Sequence, residues 1–170
     1  GTGGLAQSIT FNSIPTQVCG TPLVLSATSS SGLPVKYAVT SGASVAVLEN
    51  GVLNFVASGS VTIQATQSGD TTYAAAAPIN RSFSVIRGNQ VLTFSPDVPS
   101  SISHRGTVTL AATSDRGLTP VIFSRISGPG TLTGTVLTFT GPGAVVVRAS
   151  QAGNAAFNTS LQEKTITATN

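Results

Sequence analysis

The side chains that could do chemistry in this chain are few and lie far apart in the sequence. There is one histidine, His104, and one cysteine, Cys19, and the five carboxylates are spread along the whole length. A hydrolase needs a nucleophile, a base and an orienting acid held close together. The segment Ser-His-Arg-Gly around His104 contains no acid. We therefore expect His104 to be a solvated loop residue, and a Cys19–His104 pair would have to form across two domains.

Carboxylate pairs and metal ligands give no better pattern. Glycoside hydrolysis uses two carboxylates that flank the scissile bond, whereas here five acids are shared between two halves of the chain. One histidine, one cysteine and no acidic cluster provide none of the ligand spacings typical of protein metal sites. The sequence therefore predicts no catalytic residue, no metal site and no cofactor.

Two reactive side chains call for a specific interpretation. Lys36 could in principle join an internal isopeptide bond, but it lies between the inward-facing Val35 and Tyr37, so we expect it to face solvent. Cys19 is either a small apolar filler or a thiol available for pairing with another chain. Its position in a predicted loop favours partial exposure.

Sugar binding is the more serious alternative to a purely structural role. Sugar-binding sandwiches commonly present exposed aromatic rings, but this chain has no tryptophan and only two tyrosines, Tyr37 and Tyr73. Phe123 and Phe157 replace them at matched positions in the second half, so we expect both rings to serve packing. A sugar site built only from Asn, Thr and Gln stays open as an alternative. Asp70 has its counterpart in Asn154, and both residue types cap turns by accepting backbone N–H groups.

Composition bounds the class of protein. Hydrophobic residues make up 40% of the chain and charged residues only 8%, against roughly 25% charged in an average soluble domain. The net charge is +3 without any basic run or basic–aromatic cluster, so we expect no nucleic-acid partner. No apolar stretch reaches the roughly 20 residues of a membrane span, so we expect no membrane insertion of this segment. We expect a monomer.

The chain contains an internal repeat. Val61 corresponds to Val145, an offset of 84 residues, and the offset stays near this value along the chain. The matched segments include Gln7–Phe11 with Gln90–Phe94, Leu25–Ser29 with Leu110–Ser114, Val52–Phe55 with Val136–Phe139, and Val61–Gln67 with Val145–Gln151. We interpret this as a duplication.

Each copy predicts a β-sandwich. Val61, Ile63 and Ala65 alternate with polar residues, and Val145, Val147 and Ala149 alternate likewise with Val146, Arg148 and Ser150. This period of two is typical of a strand with one buried face. About seven such short strands, separated by Gly-containing turns, predict an all-β fold of two tandem immunoglobulin-like antiparallel β-sandwiches. We place the first domain at residues 1–87 and the second at 88–170. The connection is short, so we expect an end-to-end rod with limited bending at Gly88.

The shared motifs resemble bacterial immunoglobulin-like repeats of extracellular, adhesin-type proteins. The motifs are Gln-x-x-Thr-Phe, Ala-Thr-Ser-x-x-Gly-Leu, Leu-x-Phe and Gln-x-Gly-Asp/Asn-x-x-Tyr/Phe, and they cover nearly the whole chain twice. The resemblance implies a sandwich fold and no shared catalytic residues. Some relatives bind calcium at domain junctions, but residues 85–90 hold no carboxylate, so we expect no calcium site here.

These observations favour a non-catalytic structural or adhesion module, a stalk or spacer of a secreted or surface-anchored bacterial protein. The expected partners are neighbouring repeats of a longer parent chain and, for an adhesive role, a host or cell-surface protein or a glycan. Two alternatives remain open. One is a ligand- or carbohydrate-binding accessory module of an extracellular enzyme, and the other is a decoration domain of a virion or secretion machinery.

Overall fold

The computed structural model describes residues 4–170, which divide into two compact units. The first unit comprises residues 4–88 together with Ala155–Phe157, and the second comprises Asn89–Asn154 together with Asn158–Asn170. The secondary structure of the described residues consists of strands and turns.

The first unit contains nine strand segments. They are β1 (Ile9–Thr10), β2 (Gln17–Val18), β3 (Leu23–Val24), β4 (Thr28–Ser29), β5 (Lys36–Ser41), β6 (Ala46–Glu49), β7 (Val52–Phe55), β8 (Gly59–Thr66) and β9 (Ile79–Ile86). One sheet has the order β2-β9-β8-β5 and the other β3-β7-β6, while β1 pairs with β4. All pairs are antiparallel except β2 with β9, which run parallel.

The second unit has the same strand order. Its strands are β10 (Leu92–Phe94), β11 (Ser101–Ser103), β12 (Thr107–Thr109), β13 (Ala112–Ser114), β14 (Ile122–Ser127), β15 (Gly130–Thr133), β16 (Val136–Phe139), β17 (Gly143–Gln151) and β18 (Ser160–Thr169). The sheets are β11-β18-β17-β14 and β12-β16-β15, with β10 paired to β13. The strands of this sheet that come first and last in the chain, β11 and β18, are neighbours and again pair in parallel.

This arrangement is an all-β immunoglobulin-like sandwich, as expected from the sequence. Nine segments correspond to about seven strands per unit because the first two runs, β1/β2 and β3/β4, are each interrupted. The first run begins beside β4 and continues beside β9, so one stretch of chain contributes to both sides of the sandwich.

The predicted alternation decides which faces are buried. Val61, Ile63 and Ala65 on β8 are fully buried, and the residues between them are partly exposed. The matched residues of β17 behave in the same way. Their counterparts on facing strands complete two separate apolar cores, which confirms the inward set predicted from the period of two. The main core residues are Ile9, Phe11, Leu25, Leu53, Phe55, Phe83 and Val85 in the first unit, and Leu92, Phe94, Val108, Leu110, Leu137, Phe139, Val145, Val147, Ala149 and Ile166 in the second.

Two turns depend on left-handed backbone. The β6–β7 hairpin turns at Asn50 and Gly51, with φ of 52° and 76°, the combination that a two-residue type I′ turn requires. The Ser-Gly motif that follows strands β5 and β14 has a second constraint. Gly42 and Gly128 have φ of 88° and 94°, and a Cβ atom on either would collide with the carbonyl oxygen of a neighbouring strand. The repeated Ser-Gly pair therefore marks a close backbone approach as well as a turn.

Candidate functional site

Cys19 is buried in the first unit, which corrects the predicted partial exposure. Its side chain is 1% exposed and belongs to the apolar core. Its backbone N–H donates to the Ile86 carbonyl at 3.0 Å, which continues the pairing of β2 with β9 beyond the last assigned strand residue. Cys19 and Gly20 are typical of a loop when only their sequence neighbours are considered, because the strand that Cys19 pairs with, β9, lies far away in the sequence. The sulfur fills space in the apolar core, and burial raises the pKa of the thiol.

His104 occupies the matching place in the second unit, in the turn between β11 and β12. Its N–H donates to the Thr169 carbonyl at 2.8 Å, and its side chain is partly exposed. The backbone therefore has a structural role in the parallel strand pair. Cys19 lies in the core of one unit and His104 in a turn of the other.

Lys36 and Tyr37 lie where the sequence predicts. Lys36 is exposed on β5. The Tyr37 ring packs against Phe11 at a centroid distance of 5.9 Å, and its hydroxyl accepts a hydrogen bond from the N–H of Ala27 at 2.7 Å. The packing role of Tyr37 is confirmed, and Tyr73 is half-buried.

Carboxylates of the described residues serve local structure. Asp70 accepts hydrogen bonds from the N–H groups of Thr72 and Tyr73, both at 2.8 Å, which confirms its predicted role as a turn cap. In the second unit, Asp115 accepts from the Val91 N–H at 2.8 Å. Asp97 accepts from the Val98 N–H at 2.8 Å and forms an exposed ion pair with Lys164 at 3.4 Å. Glu163 forms an exposed ion pair with Arg148, with an Nε–Oε1 distance of 2.9 Å. Across residues 4–170, no three metal-ligating side chains form a group that could hold an ion.

Buried glutamines form polar networks that the sequence interpretation missed. In the second unit, Gln90 and Gln151 are both 4% exposed and share a hydrogen bond of 3.1 Å. Ser114 donates to Gln90 Oε1 at 2.7 Å, and Gln151 Nε2 donates to the Pro120 carbonyl at 3.0 Å.

The first unit has a corresponding arrangement. Gln67 is 8% exposed, donates to the Pro34 carbonyl at 2.6 Å and accepts from the Gly69 N–H at 2.5 Å. Gln7 accepts from the Ser31 hydroxyl at 2.5 Å. The available clue in the sequence was the recurrence of glutamine at matched positions, because a polar residue repeated at the end of an otherwise buried strand needs a buried partner.

An apolar groove lies along one open side of the sandwich in the second unit. We name it the β14 groove. Its first recess has a volume of about 340 Å³ and lies between β13, the loop before β14 and the β15–β16 turn. The lining residues are Leu110, Ala111, Ala112, Thr113, Ser114, Gly117, Leu118, Thr119, Val121, Phe123 and Thr135. Beyond the Phe123 ring a second recess of about 380 Å³ follows between β14 and β15, lined by Ser124, Arg125, Gly130, Thr131 and Leu132.

The β14 groove differs from the matching side of the first unit in several side chains. Phe123 stands where the first unit has Tyr37, whose hydroxyl contacts the backbone of the facing strand. Thr119 is an extra residue between the matched Gly-Leu and Pro-Val pairs, and Thr135 matches Gly51. The β14 groove therefore contains several residues that the two halves do not share, and we take it as the candidate functional site of the chain.

No family model matches this chain, and no curated protein matches it. Similar solved structures include the D00-D0 domain of intimin, at 14% identity and a TM-score of 0.40, which covers 96% of this chain and 100% of that one. A second is N-cadherin EC1-4 from Drosophila, at 11% identity and a TM-score of 0.37. That match covers 99% of this chain and half of the cadherin structure. The class that the strand order defines is the immunoglobulin-like β-sandwich, and this assignment stands on the topology described above.

Proposed function

We propose that this chain is a pair of tandem immunoglobulin-like repeats, with the two domains at residues 1–87 and 88–170, that serves as a load-bearing stalk or adhesion module. The supporting observation is that, in each four-stranded sheet, the strands that come first and last in the chain pair in parallel. These pairs are β2 with β9 and β11 with β18. The proposed setting is a secreted or surface-anchored bacterial protein, and the proposed partners are further repeats of the parent chain.

The parallel pairing matters because of how force would enter each domain. Strands that run in the same direction at opposite ends of a chain are pulled past each other when the ends are separated. Their hydrogen bonds are then loaded together, whereas an antiparallel terminal hairpin opens one bond after another. In the second unit these bonds include His104 N–H to Thr169 O at 2.8 Å and Thr167 N–H to Ser100 O at 2.9 Å.

The buried glutamine networks support the same role. A fully satisfied network of buried polar groups makes one packing arrangement unique and rigid. Gln67 in the first unit and Gln151 in the second each join the end of a central strand to the loop before β5 or β14. In the described residues no buried side-chain nitrogen or oxygen lacks a hydrogen-bond partner.

Single-molecule pulling on the chain, held between reference domains of known contour length, tests the proposal. We expect two unfolding events, each releasing roughly 300 Å of chain less the end-to-end length of the folded domain, since an extended residue spans at most about 3.6 Å. His104→Pro removes the N–H that donates to Thr169 and should lower the force of one event only. His104→Ala keeps that N–H and is the matched control. Equal forces for the two variants, or unfolding without resolved events, would contradict the load-bearing role.

The alternative of a ligand- or carbohydrate-binding accessory module predicts a different result. Specific and saturable binding of the chain to cells or to a glycan array would favour this alternative if His104→Pro and His104→Ala also unfolded at equal forces. The β14 groove is the surface on which that alternative would rest.

A further inference from the structure

We propose that the β14 groove of the second unit binds an extended peptide strand that carries apolar side chains and an acidic side chain on the same face, the face toward the groove. This inference goes beyond the stalk role and rests on the second unit alone.

The first argument is the unpaired edge of β14. This strand is the last in the order β11-β18-β17-β14, so its outer side has no strand partner. Its pairing with β17 is regular from Ile122 to Arg125 and shifts between Arg125 and Ser127. An exposed edge with free main-chain groups is the surface on which an added peptide strand forms backbone hydrogen bonds.

The second argument is the contrast with the first unit. Lysine on an edge strand opposes the pairing of further strands, and β5 carries the exposed Lys36 at its start. The matched residue of β14 is Ile122, which is 60% exposed. At this position the edge of the second unit lacks a lysine and presents an apolar side chain instead, and the charged side chain of β14 is Arg125.

The third argument is the cavity beside the edge. The recess of about 340 Å³ at Leu110, Val121 and Phe123 lies within the range of about 300–1,000 Å³ typical of ligand cavities. The surface at this recess is mainly apolar, with hydroxyl groups of Thr113 and Thr119 at its rim. Side chains of an extended strand point alternately to opposite sides. Every second side chain of an added strand would thus face the groove, and an aliphatic one suits the recess.

The fourth argument concerns charge. Arg125 is exposed on β14 and lines the second recess. Its Nη1 donates to the Gly128 carbonyl at 3.0 Å, and no described carboxylate forms an ion pair with it. Asp97 and Glu163 pair with other side chains. The groove therefore offers a cation to the bound segment, and an acidic residue complements it.

A peptide titration followed by amide NMR tests the proposal. The probe is the blocked heptapeptide Thr-Val-Thr-Glu-Thr-Val-Thr, in which Glu and both Val side chains point to the same face. The matched probe has Lys in place of that Glu. We expect shift changes concentrated at β14 and at the recess residues, with a Kd of about 1 mM or tighter for the Glu peptide. The Lys peptide should bind about two- to fivefold more weakly, the effect of one exposed ion pair.

Two variants copy residues of the first unit, so each is compatible with the fold. Ile122→Lys reproduces Lys36 and should weaken the Glu peptide at least about fivefold. Arg125→Val reproduces Val39 and should abolish the difference between the two peptides. Dispersed amide spectra of both variants control for folding.

Several results would overturn the proposal. These are an absence of shift changes at β14 up to several times the expected Kd, equal binding of the two peptides by the unmodified chain, or full binding by Ile122→Lys. Shift changes at β14 that appear when the chain alone is concentrated, without any peptide effect, would assign the edge to a second copy of the chain instead. None of these outcomes bears on the pulling experiment, so failure of this inference is distinguishable from failure of the stalk role.

Discussion

The buried Gln67 side chain allows a quantitative test of how the first unit is held together. Gln67→Met keeps the length of the side chain and removes both polar atoms. The lost hydrogen bonds are Nε2 to the Pro34 carbonyl, at 2.6 Å, and the Gly69 N–H to Oε1, at 2.5 Å. A buried polar group that loses its partner costs about 1–3 kcal/mol.

The expected loss of stability lies near the lower limit of that range for each bond. Pro34 is exposed and Gly69 half-buried, so water replaces part of what each backbone group loses. Two bonds at about 1 kcal/mol each predict a decrease of about 2 kcal/mol in the free energy of unfolding. For a domain of this size that corresponds to a decrease in Tm of roughly 8–16 °C.

Tyrosine fluorescence gives a selective assay. The chain has no tryptophan, and both tyrosines, Tyr37 and Tyr73, belong to the first unit. Denaturant unfolding followed through tyrosine emission therefore reports the unit that contains Gln67. The control is Gln17→Met, since the Gln17 side chain bonds only to the exposed Pro15 carbonyl two residues away, and we expect a change within about 0.5 kcal/mol. If Gln67→Met destabilised the unit no more than this control, the buried network would not stabilise the fold as argued.

Four further expectations concern other residues. Cys19 should react with a thiol reagent only as fast as the first unit opens, and an absorbance assay that finds rapid labelling of the folded chain would refute its burial. Burial raises the pKa of Cys19, so the folded state holds the thiol proton more tightly than the unfolded state does. The free energy of unfolding should therefore fall as pH rises above about 8.5. Cys19→Ala should reduce this dependence on pH in denaturant titrations. Asp70→Ala should cost about 1 kcal/mol of unfolding free energy while Asp70→Asn, which copies Asn154, should cost less, and equal losses would count against the turn cap. Breaking the exposed Arg148–Glu163 pair with Glu163→Gln should change stability by less than about 1 kcal/mol and less still in high salt, and a larger, salt-independent loss would show that the pair matters in another way.

The sequence by itself was sufficient for the fold class and for most of the two cores. Alternation on β8 and β17 could be read directly, because a strand buried on one face must place apolar residues at every second position. The turn role of Asp70 was equally local, since its carboxylate binds N–H groups two and three residues ahead. Comparing the two halves strengthened these predictions, because core and turn chemistry recur while other side chains vary.

Only the tertiary structure decided what depends on residues distant in the chain. Cys19 was expected to be partly exposed and is buried, since its environment comes from a strand some 67 residues later, β9, which ends at Ile86. Gln90 meets a glutamine 61 residues away, a pairing that no local pattern encodes. The β14 groove likewise exists only where an unpaired strand edge, a loop with an extra threonine and a phenylalanine in place of a tyrosine come together. The alternation of apolar and polar residues and the chemistry of turns are properties of residues that are neighbours in the sequence. Burial, polar pairing and cavities arise when distant segments meet. For this reason the sequence predicted the architecture but not the candidate site.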